Sequence, residues 1–244
     1  MSLEGRTILI TGAARRIGRR LALAAAQAGA DLVLHHGHSP VEAGSLQQEI
    51  QNLGRQAIVV QADLEDPAQV ERLVEQANQP GQLFGLINNA AIFTSLDWNT
   101  TSRKTWDQHL AINLTAPFLL SQALARQIPA TGEGRIVNLL DWRALRPGAD
   151  HLPYTISKAG LAALTRSLAQ ALAPRILVNA IALGAILPPS DGAIQPDLLD
   201  DYPLRRWAEL EEVEQTLLFL LDGPAYITGE IIHLDGGRHL VLAR

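Results

Sequence analysis

The sequence predicts a doubly wound α/β fold, with a seven-stranded parallel sheet covered by helices on both faces. Two observations carry that expectation. Short Leu-, Ile- and Val-rich runs recur along the 244 residues, each followed by a longer segment with helical apolar spacing, as strands joined by crossover helices are. The first run opens into a glycine-containing turn, "TGAARRIG" at 11–18, and then an Ala- and Leu-rich segment, a strand–turn–helix unit of the kind that begins such sheets.

In order, the strands are expected at "RTILIT" (6–11), "DLVLHH" (31–36), "QAIVVQA" (56–62), "FGLINNA" (84–90), "RIVNLL" (135–140), "RILVNAIA" (175–182) and "EIIHLD" (230–235). Helices are expected near 17–28, 40–53, 67–79, 105–127, 153–172 and 209–222. Seven strands with six helices between them imply one parallel sheet. The least regular stretch is 183–206, long, Pro-containing and aperiodic. Because it follows a strand's C-terminal end, it is expected to overhang a ligand crevice and form a substrate loop; a surface insertion without a role is the competing reading.

No Pro-, Ser- or Gly-rich linker or charge run divides the chain, so one domain over 1–244 is expected. Hydrophobic residues make up 47% and charged residues 18%, which excludes disorder. A formal charge of −5 argues against nucleic acid or an anionic membrane as partner, although Arg15, Arg16, Arg19 and Arg20 form a local basic spot for a small ligand. The absence of Cys excludes disulfides, thiolate metal sites and thiol catalysis. No signal-like or membrane-length apolar run is present, and a cytoplasmic protein is expected.

The turn after the first strand has the composition of a phosphate cradle, with glycines that admit a pyrophosphate and a helix N-terminus that supplies free N–H donors. The second strand ends in "HHGHS" (35–39) and lacks an Asp or Glu to bind a ribose 2′-OH; His35, His36, His38 and Ser39 are donors instead. That end suits a 2′-phosphate, so NADPH is expected in preference to NADH. Three close histidines also raise a metal site, but no carboxylate or Cys completes a ligand set and no metal is expected. Asp66, before Pro67, reads as a helix cap, which leaves Asp63 for an adenine amino group. "NNAA" (88–91) ends the fourth strand at the crevice, its Asn side chains serving either cofactor or loop backbone.

Tyr154 and Lys158 stand four residues apart at the start of a helix and so share a face. An ammonium beside a phenol lowers its pKa from ~10 and suits it to general-acid work. Asp141 lies upstream in "LLDWRALRPGADHLPYTISK". It reads either as a third member of this site or as a strand-end carboxylate bound to local backbone N–H groups.

Together, "TGAARRIG", "NNAA", Asn113 in "INLTAPF", "YTISKAG", "VNAIALG" and "TGEIIHLDGG" resemble the short-chain dehydrogenase/reductase family along the whole chain. The resemblance implies a Rossmann-type domain, hydride transfer with NAD(P)H on a small-molecule substrate, and a homotetramer or homodimer. It implies Tyr154 as catalytic acid, Lys158 as the residue that lowers its pKa and holds the nicotinamide ribose, and Asn113 as the residue that orders a water near Lys158. Cofactor contacts are implied for Gly12, Arg15, Arg16, Ile17, Gly18, His35, His38, Ser39, Asp63, Leu64, Asn89, Ala90, Gly184 and Ile186, besides Tyr154 and Lys158.

Four positions depart from the family pattern. Arg16 stands where the middle glycine is usual, Asp141 where Ser is usual, Leu183 in place of Pro, and Pro188 in place of Thr. Arg16, Asp141 and the end of the second strand resemble the pteridine reductase subgroup, in which Phe93 falls where an aromatic ring stacks on the pterin; Phe93 also reads as a loop anchor. Ala91 stands where that subgroup carries a polar residue. Reducing a C=N bond needs a proton on nitrogen, which a Tyr–Asp pair can supply, whereas an ionised Asp repels a developing oxyanion. The expected enzyme is therefore an NADPH-dependent reductase of a pteridine or similar C=N heterocycle, with Arg16, Phe93, Asp141 and Tyr154 meeting the substrate. A ketone or quinone reductase and a non-catalytic dinucleotide sensor are the alternatives.

Overall fold

The computed structural model describes residues 2–77, 82–188 and 198–241. Strands β1 (Thr7–Ile10), β2 (Asp31–His36), β3 (Ala57–Gln61), β4 (Leu83–Asn88), β5 (Gly134–Asp141), β6 (Ile176–Leu183) and β7 (Ile231–Leu234) form one sheet in the order β3-β2-β1-β4-β5-β6-β7. Every pairing is parallel. The helices are α1 (Arg16–Gln27), α2 (Pro40–Asn52), α3 (Pro67–Ala77), α4 (Arg103–Leu110), α5 (Ala116–Gln127), α6 (Leu152–Leu172) and α7 (Leu210–Asp222).

Alternate strand residues feed opposite faces, so both faces need apolar cover. Ile8 and Ile10 of β1 pack in a core with Leu21, Leu32, Leu34 and Leu217. Leu9 between them packs with Val33, Leu73, Leu86, Leu120 and Ile136 on the other side. This double burial is why the central strands read as unbroken apolar runs. The chain leaves β3 at one edge and returns to β4 beside β1, and this reversal opens a crevice at the C-terminal ends of β1 and β4.

The strands lie within a residue or two of the expected positions. Residues 78–79 of the expected third helix and 189–197 of the irregular stretch lie outside the described residues. The helix expected over 105–127 is a correction. It starts at Arg103, because Ser102 and Thr105 form a reciprocal cap in which each side chain accepts from the other's N–H, at 3.1 and 3.0 Å. It then passes through a wide π-turn at Ala111–Thr115 before α5. Pro117 has no N–H to give the Asn113 carbonyl, and the wider turn falls at that gap in the helical ladder. Short 3₁₀ turns at Trp142–Ala144, Leu198–Asp201 and Arg238–Leu240 were not foreseen in the sequence. No described helix is long and apolar enough to cross a membrane.

Candidate active site

The turn after β1 is built from neutral hydrogen bonds. Thr11 Oγ1 accepts from the N–H groups of Asn89 and Ala90, both at 3.0 Å. Asn89 Nδ2 returns the contact to the carbonyls of Thr11 and Gly12, at 2.8 and 3.1 Å. The glycines here are spatial necessities: Gly12 has φ +63°, and a Cβ on Gly18 would lie 2.2 Å from the Gly12 carbonyl oxygen. Arg16, where the sequence departs from glycine, sits at φ +52°, a conformation that costs an L-residue about 1–2 kcal/mol. Its Nη2 donates to the Pro188 carbonyl at 2.6 Å, so the guanidinium spans from the turn to the segment after β6.

His35 corrects an expectation. It is buried beneath the turn, where Nδ1 accepts from Gly12 N–H at 3.1 Å and Nε2 lies 3.0 Å from the Ala62 carbonyl. Burial pushes the imidazole down to about 4, so it is a neutral prop for the turn with both nitrogens engaged, and it has no donor for a phosphate. His36 is also buried and accepts from Ser39 N–H at 3.3 Å. Of the three histidines His38 alone is exposed. Among the described residues no His, Cys, Asp and Glu side chains gather to hold a metal ion. Asp66 caps α3, accepting from Ala68 N–H at 2.9 Å. Asp63 is exposed and accepts from Glu65 N–H at 2.9 Å, and Leu64 beside it is buried.

The reacting end gathers at the C-terminal tip of β5 and the head of α6. Tyr154 Oη donates to Asp141 Oδ2 across 3.4 Å, and Asp141 Oδ1 accepts from Arg143 N–H at 2.8 Å. Lys158 is buried and donates from Nζ to the Leu139 carbonyl at 2.7 Å. Asp141 is thus both of the things the sequence allowed: bound to local backbone and in reach of Tyr154. Asn113 Nδ2 donates to the Ile92 carbonyl and to Ser157 Oγ, both at 3.0 Å, while Oδ1 accepts from Ile92 N–H at 2.9 Å. Its side chain ties the loop following "NNAA" to α6.

Charge and burial compete here. Burial pushes the Asp141 carboxyl up against the pull of Arg143, its backbone N–H and Lys158. The Tyr154 phenol is pushed well above its usual range, by burial first and the Asp141 charge second. Burial thus outweighs the lowering expected for the phenol: Arg143 draws it down, and Lys158, with Nζ 5.8 Å from the centre of the Tyr154 ring, is itself pushed down to about 8 by burial. Tyr154 and Asp141 titrate as a pair that holds its proton firmly.

Phe93 is an anchor that remains half exposed. It stacks on His151 with centroids 4.1 Å apart, meets Tyr154 edge-on at 4.6 Å, and lines the cleft. That cleft, about 460 Å³, also takes in Gly12, Arg15, Arg16, Ile17, Gly18, Asn89, Ala90, Asp141, Tyr154, Lys158, Gly184 and Ile186. Its apolar walls include Ala91 of "NNAA" and Leu183 and Leu187 of the irregular stretch, and also Leu139 and Leu140 of β5, which no motif marked. Gly184 lets β6 end against β7, since a Cβ would lie 2.6 Å from Asp235 Cα. His38, Ser39, Asp63 and Leu64 are not among the cleft's lining residues.

The glycine turn fits a dinucleotide. No side chain caps the N-terminus of α1, no acidic residue stands in its first turn, and Arg15 and Arg16 flank it, which leaves donors and positive charge for a pyrophosphate. A family model described as Enoyl-(Acyl carrier protein) reductase matches residues 12–239. The chain belongs to the short-chain dehydrogenase/reductase family. This reductase is 35% identical over 245 residues to the 3-oxoacyl-(acyl-carrier-protein) reductase FabG of Aquifex aeolicus (strain VF5), a match spanning 97% of this chain and 98% of that protein. Among solved structures it resembles FolM Alternative dihydrofolate reductase 1 from Brucella canis complexed with NADP, with TM-score 0.92 and 37% identity over 100% of this chain and 98% of that one. A short chain dehydrogenase from Burkholderia cenocepacia J2315 in complex with NADP gives TM-score 0.92 and 33% identity over 98% and 99% of the two chains. This short-chain reductase is an NADP-dependent oxidoreductase.

Proposed function

We propose that this reductase transfers hydride from NADPH to a pteridine or a similar flat C=N heterocycle. The carrying observation is the Asp141 carboxylate 3.4 Å from the Tyr154 hydroxyl in the cleft. The nicotinamide supplies the hydride to the substrate carbon. Tyr154 gives the ring nitrogen its proton while the Asp141 carboxylate orients the phenol; solvent water returns a proton to the tyrosinate after turnover, and C=N becomes CH–NH. Half-exposed Phe93 offers a ring edge or face to a flat substrate. Lys158 fixes the head of α6 through Leu139 and presents its ammonium to the ribose, and the Asn113 main-chain carbonyl, without an i+4 donor, orders a nearby water. Arg15, His38 and Ser39 would hold the 2′-phosphate, and Asp63 and Leu64 the adenine, when the cofactor is bound. Phe118 of α5 and Ile156 of α6, both partly exposed, supply a face for a homodimer or homotetramer.

Likeness to FolM at 37% identity supports this reading. A second reading, reduction of a 3-oxoacyl thioester, is favoured by identities of 31–35% to FabG proteins over nearly the whole chain. Purified protein and NADPH are assayed for cofactor oxidation with dihydrobiopterin, dihydrofolate and a 3-oxoacyl thioester. Consumption with the pterins and not the thioester supports the first reading; the reverse sinks it. Asp141→Ser sharpens the test: pterin turnover is expected to fall and carbonyl turnover to rise.

A further inference from the structure

Arg143, two residues beyond Asp141 on the 3₁₀ turn Trp142–Ala144, matched no motif in the sequence. It is largely buried, and it holds two carboxylates at once. Its Nη1 lies 3.7 Å from Asp141 Oδ1, where its own N–H also binds at 2.8 Å, and its Nη2 lies 3.0 Å from Asp150 Oδ2. The guanidinium carbon sits 4.7 Å from the centre of the Trp142 ring and 6.0 Å from that of Phe93. Its Nε is buried with no partner among the described residues. A buried donor left unmet is destabilising, so the guanidinium is set by its carboxylate and aromatic neighbours at the expense of Nε.

The two carboxylates belong to the two segments that meet at the reaction centre. Asp141 ends β5, and Asp150 immediately precedes His151, which caps the helix carrying Tyr154 and Lys158. Both contacts on Asp141 fall on Oδ1, which turns Oδ2 to Tyr154. We infer that Arg143 is the positioning residue of the proton-delivering pair: it fixes the Asp141 carboxylate with Oδ2 toward Tyr154 and clamps β5 to the head of α6. This inference rests on the reading in which the Asp141 carboxylate orients the Tyr154 phenol that delivers the proton. A neighbouring cation also favours the ionised form of Asp141, in keeping with the direction of the Arg143 contribution there. Besides Tyr154, the other charged and titratable groups around Asp141 and Arg143 are Lys158 from α6, Asp150 and His151 ahead of it, Tyr202 after the Leu198–Asp201 turn, and Asp235 and Arg238 beyond β7. None of these replaces Arg143, because the main-chain N–H and guanidinium of one residue meet the same oxygen.

The test reads the carboxylate directly in full-length protein labelled with carboxyl-¹³C aspartate, the Asp141 resonance being assigned by its loss in Asp141→Ser. In Arg143→Ala the Asp141 titration midpoint is expected to rise by about one pH unit or more, the scale of an opposite charge within reach. Arg143→Lys, which keeps the charge, is expected to recover at least half of that rise. In dihydropterin turnover with NADPH, the acid side of the kcat/KM profile should move upward by the same amount. An Asp141 midpoint unchanged in both variants overturns the inference, as does equal displacement in Arg143→Ala and Arg143→Lys. If no pterin is turned over while the carboxylate still shifts, the substrate reading fails and the role of Arg143 stands. If Arg143→Ala does not fold, Arg143→Gln and Arg143→Lys carry the comparison, with the shift expected in the first and largely absent in the second.

Discussion

The two ends of the cleft are built on opposite electrostatic plans. At the glycine turn the buried polar groups are neutral: Thr11 and Asn89 exchange hydrogen bonds with backbone, and His35 is an uncharged imidazole wedged between Gly12 and Ala62. At the tip of β5 the buried groups ionise. Asp141, Arg143 and Lys158 are drawn from water around Tyr154, and the Asp141 charge shifts each of the others. A neutral network sets shape, which does not change with pH in the working range. A charged one sets proton occupancy, which does. Substitutions at the first end are therefore expected to alter cofactor affinity, and those at the second to alter turnover and its pH dependence.

The largest expected effect belongs to Tyr154→Phe. Loss of the proton donor should lower kcat by about 10²–10⁴-fold, with NADPH affinity changed by no more than about twofold in a fluorescence titration, since Lys158 is held by the Leu139 carbonyl and not by Tyr154. Next comes Gly18→Ala. The added Cβ meets the Gly12 carbonyl oxygen at 2.2 Å, so α1 must back away from the turn. NADPH affinity is expected to fall by about tenfold or more, the equivalent of 1.4 kcal/mol, while the pH midpoints of turnover at saturating NADPH stay in place. Midpoints that move with Gly18→Ala would dissolve the distinction between the two ends.

Burial of His35 gives the neutral end one pH dependence of its own, in stability. Its folded value of about 4 lies below the ordinary 6.5, so between those values the unfolded chain binds the extra proton and the folded protein does not. Stability is thus retained above about pH 6.5 and lost as the pH falls to about 4, by on the order of 3 kcal/mol. Lys158, folded value about 8 against 10.5, has the same sign in a higher window: the burial penalty is present below about pH 8 and is relieved as the pH rises toward 10.5. Urea unfolding across pH should show both slopes. His35→Gln is expected to flatten the acidic slope and leave the alkaline one, whereas an unchanged acidic slope would mean that carboxylates and not His35 govern it.

How much of this was legible depended on whether a feature is local in the chain. The strands were readable because double burial leaves unbroken apolar runs, and Gly12, Gly18, Tyr154 and Lys158 were readable because fixed spacings place them. Arg16 and Asp141 stood out as departures from a pattern. His35 was misread because the composition of "HHGHS" carries no sign of which ring turns inward; burial between the turn and Ala62 decides it. The Arg143 clamp was invisible because its partners Asp141 and Asp150 are two and seven residues away in a segment whose path the sequence does not fix. The net upward push on Tyr154 was not legible, because spacing shows that two groups share a face but not how far burial outweighs neighbouring cations.

The smallest expected effect probes the lip of the neutral end. Arg15 is 60% exposed and its Nη1 lies 3.6 Å from Glu42 Oε1, a loose surface pair of a kind that contributes about 0–1 kcal/mol. A phosphate arriving at this lip competes with Glu42 for the guanidinium, so Glu42→Gln should tighten NADPH binding by about two- to fivefold at low salt. The gain should shrink as salt is raised past physiological strength, because the groups are exposed and screened. Titrating NADPH and NADH side by side locates the contact. A gain for NADPH alone puts Arg15 at the 2′-phosphate, whereas an equal gain for both cofactors puts it at the pyrophosphate they share, and would leave exposed His38 as the residue that separates them.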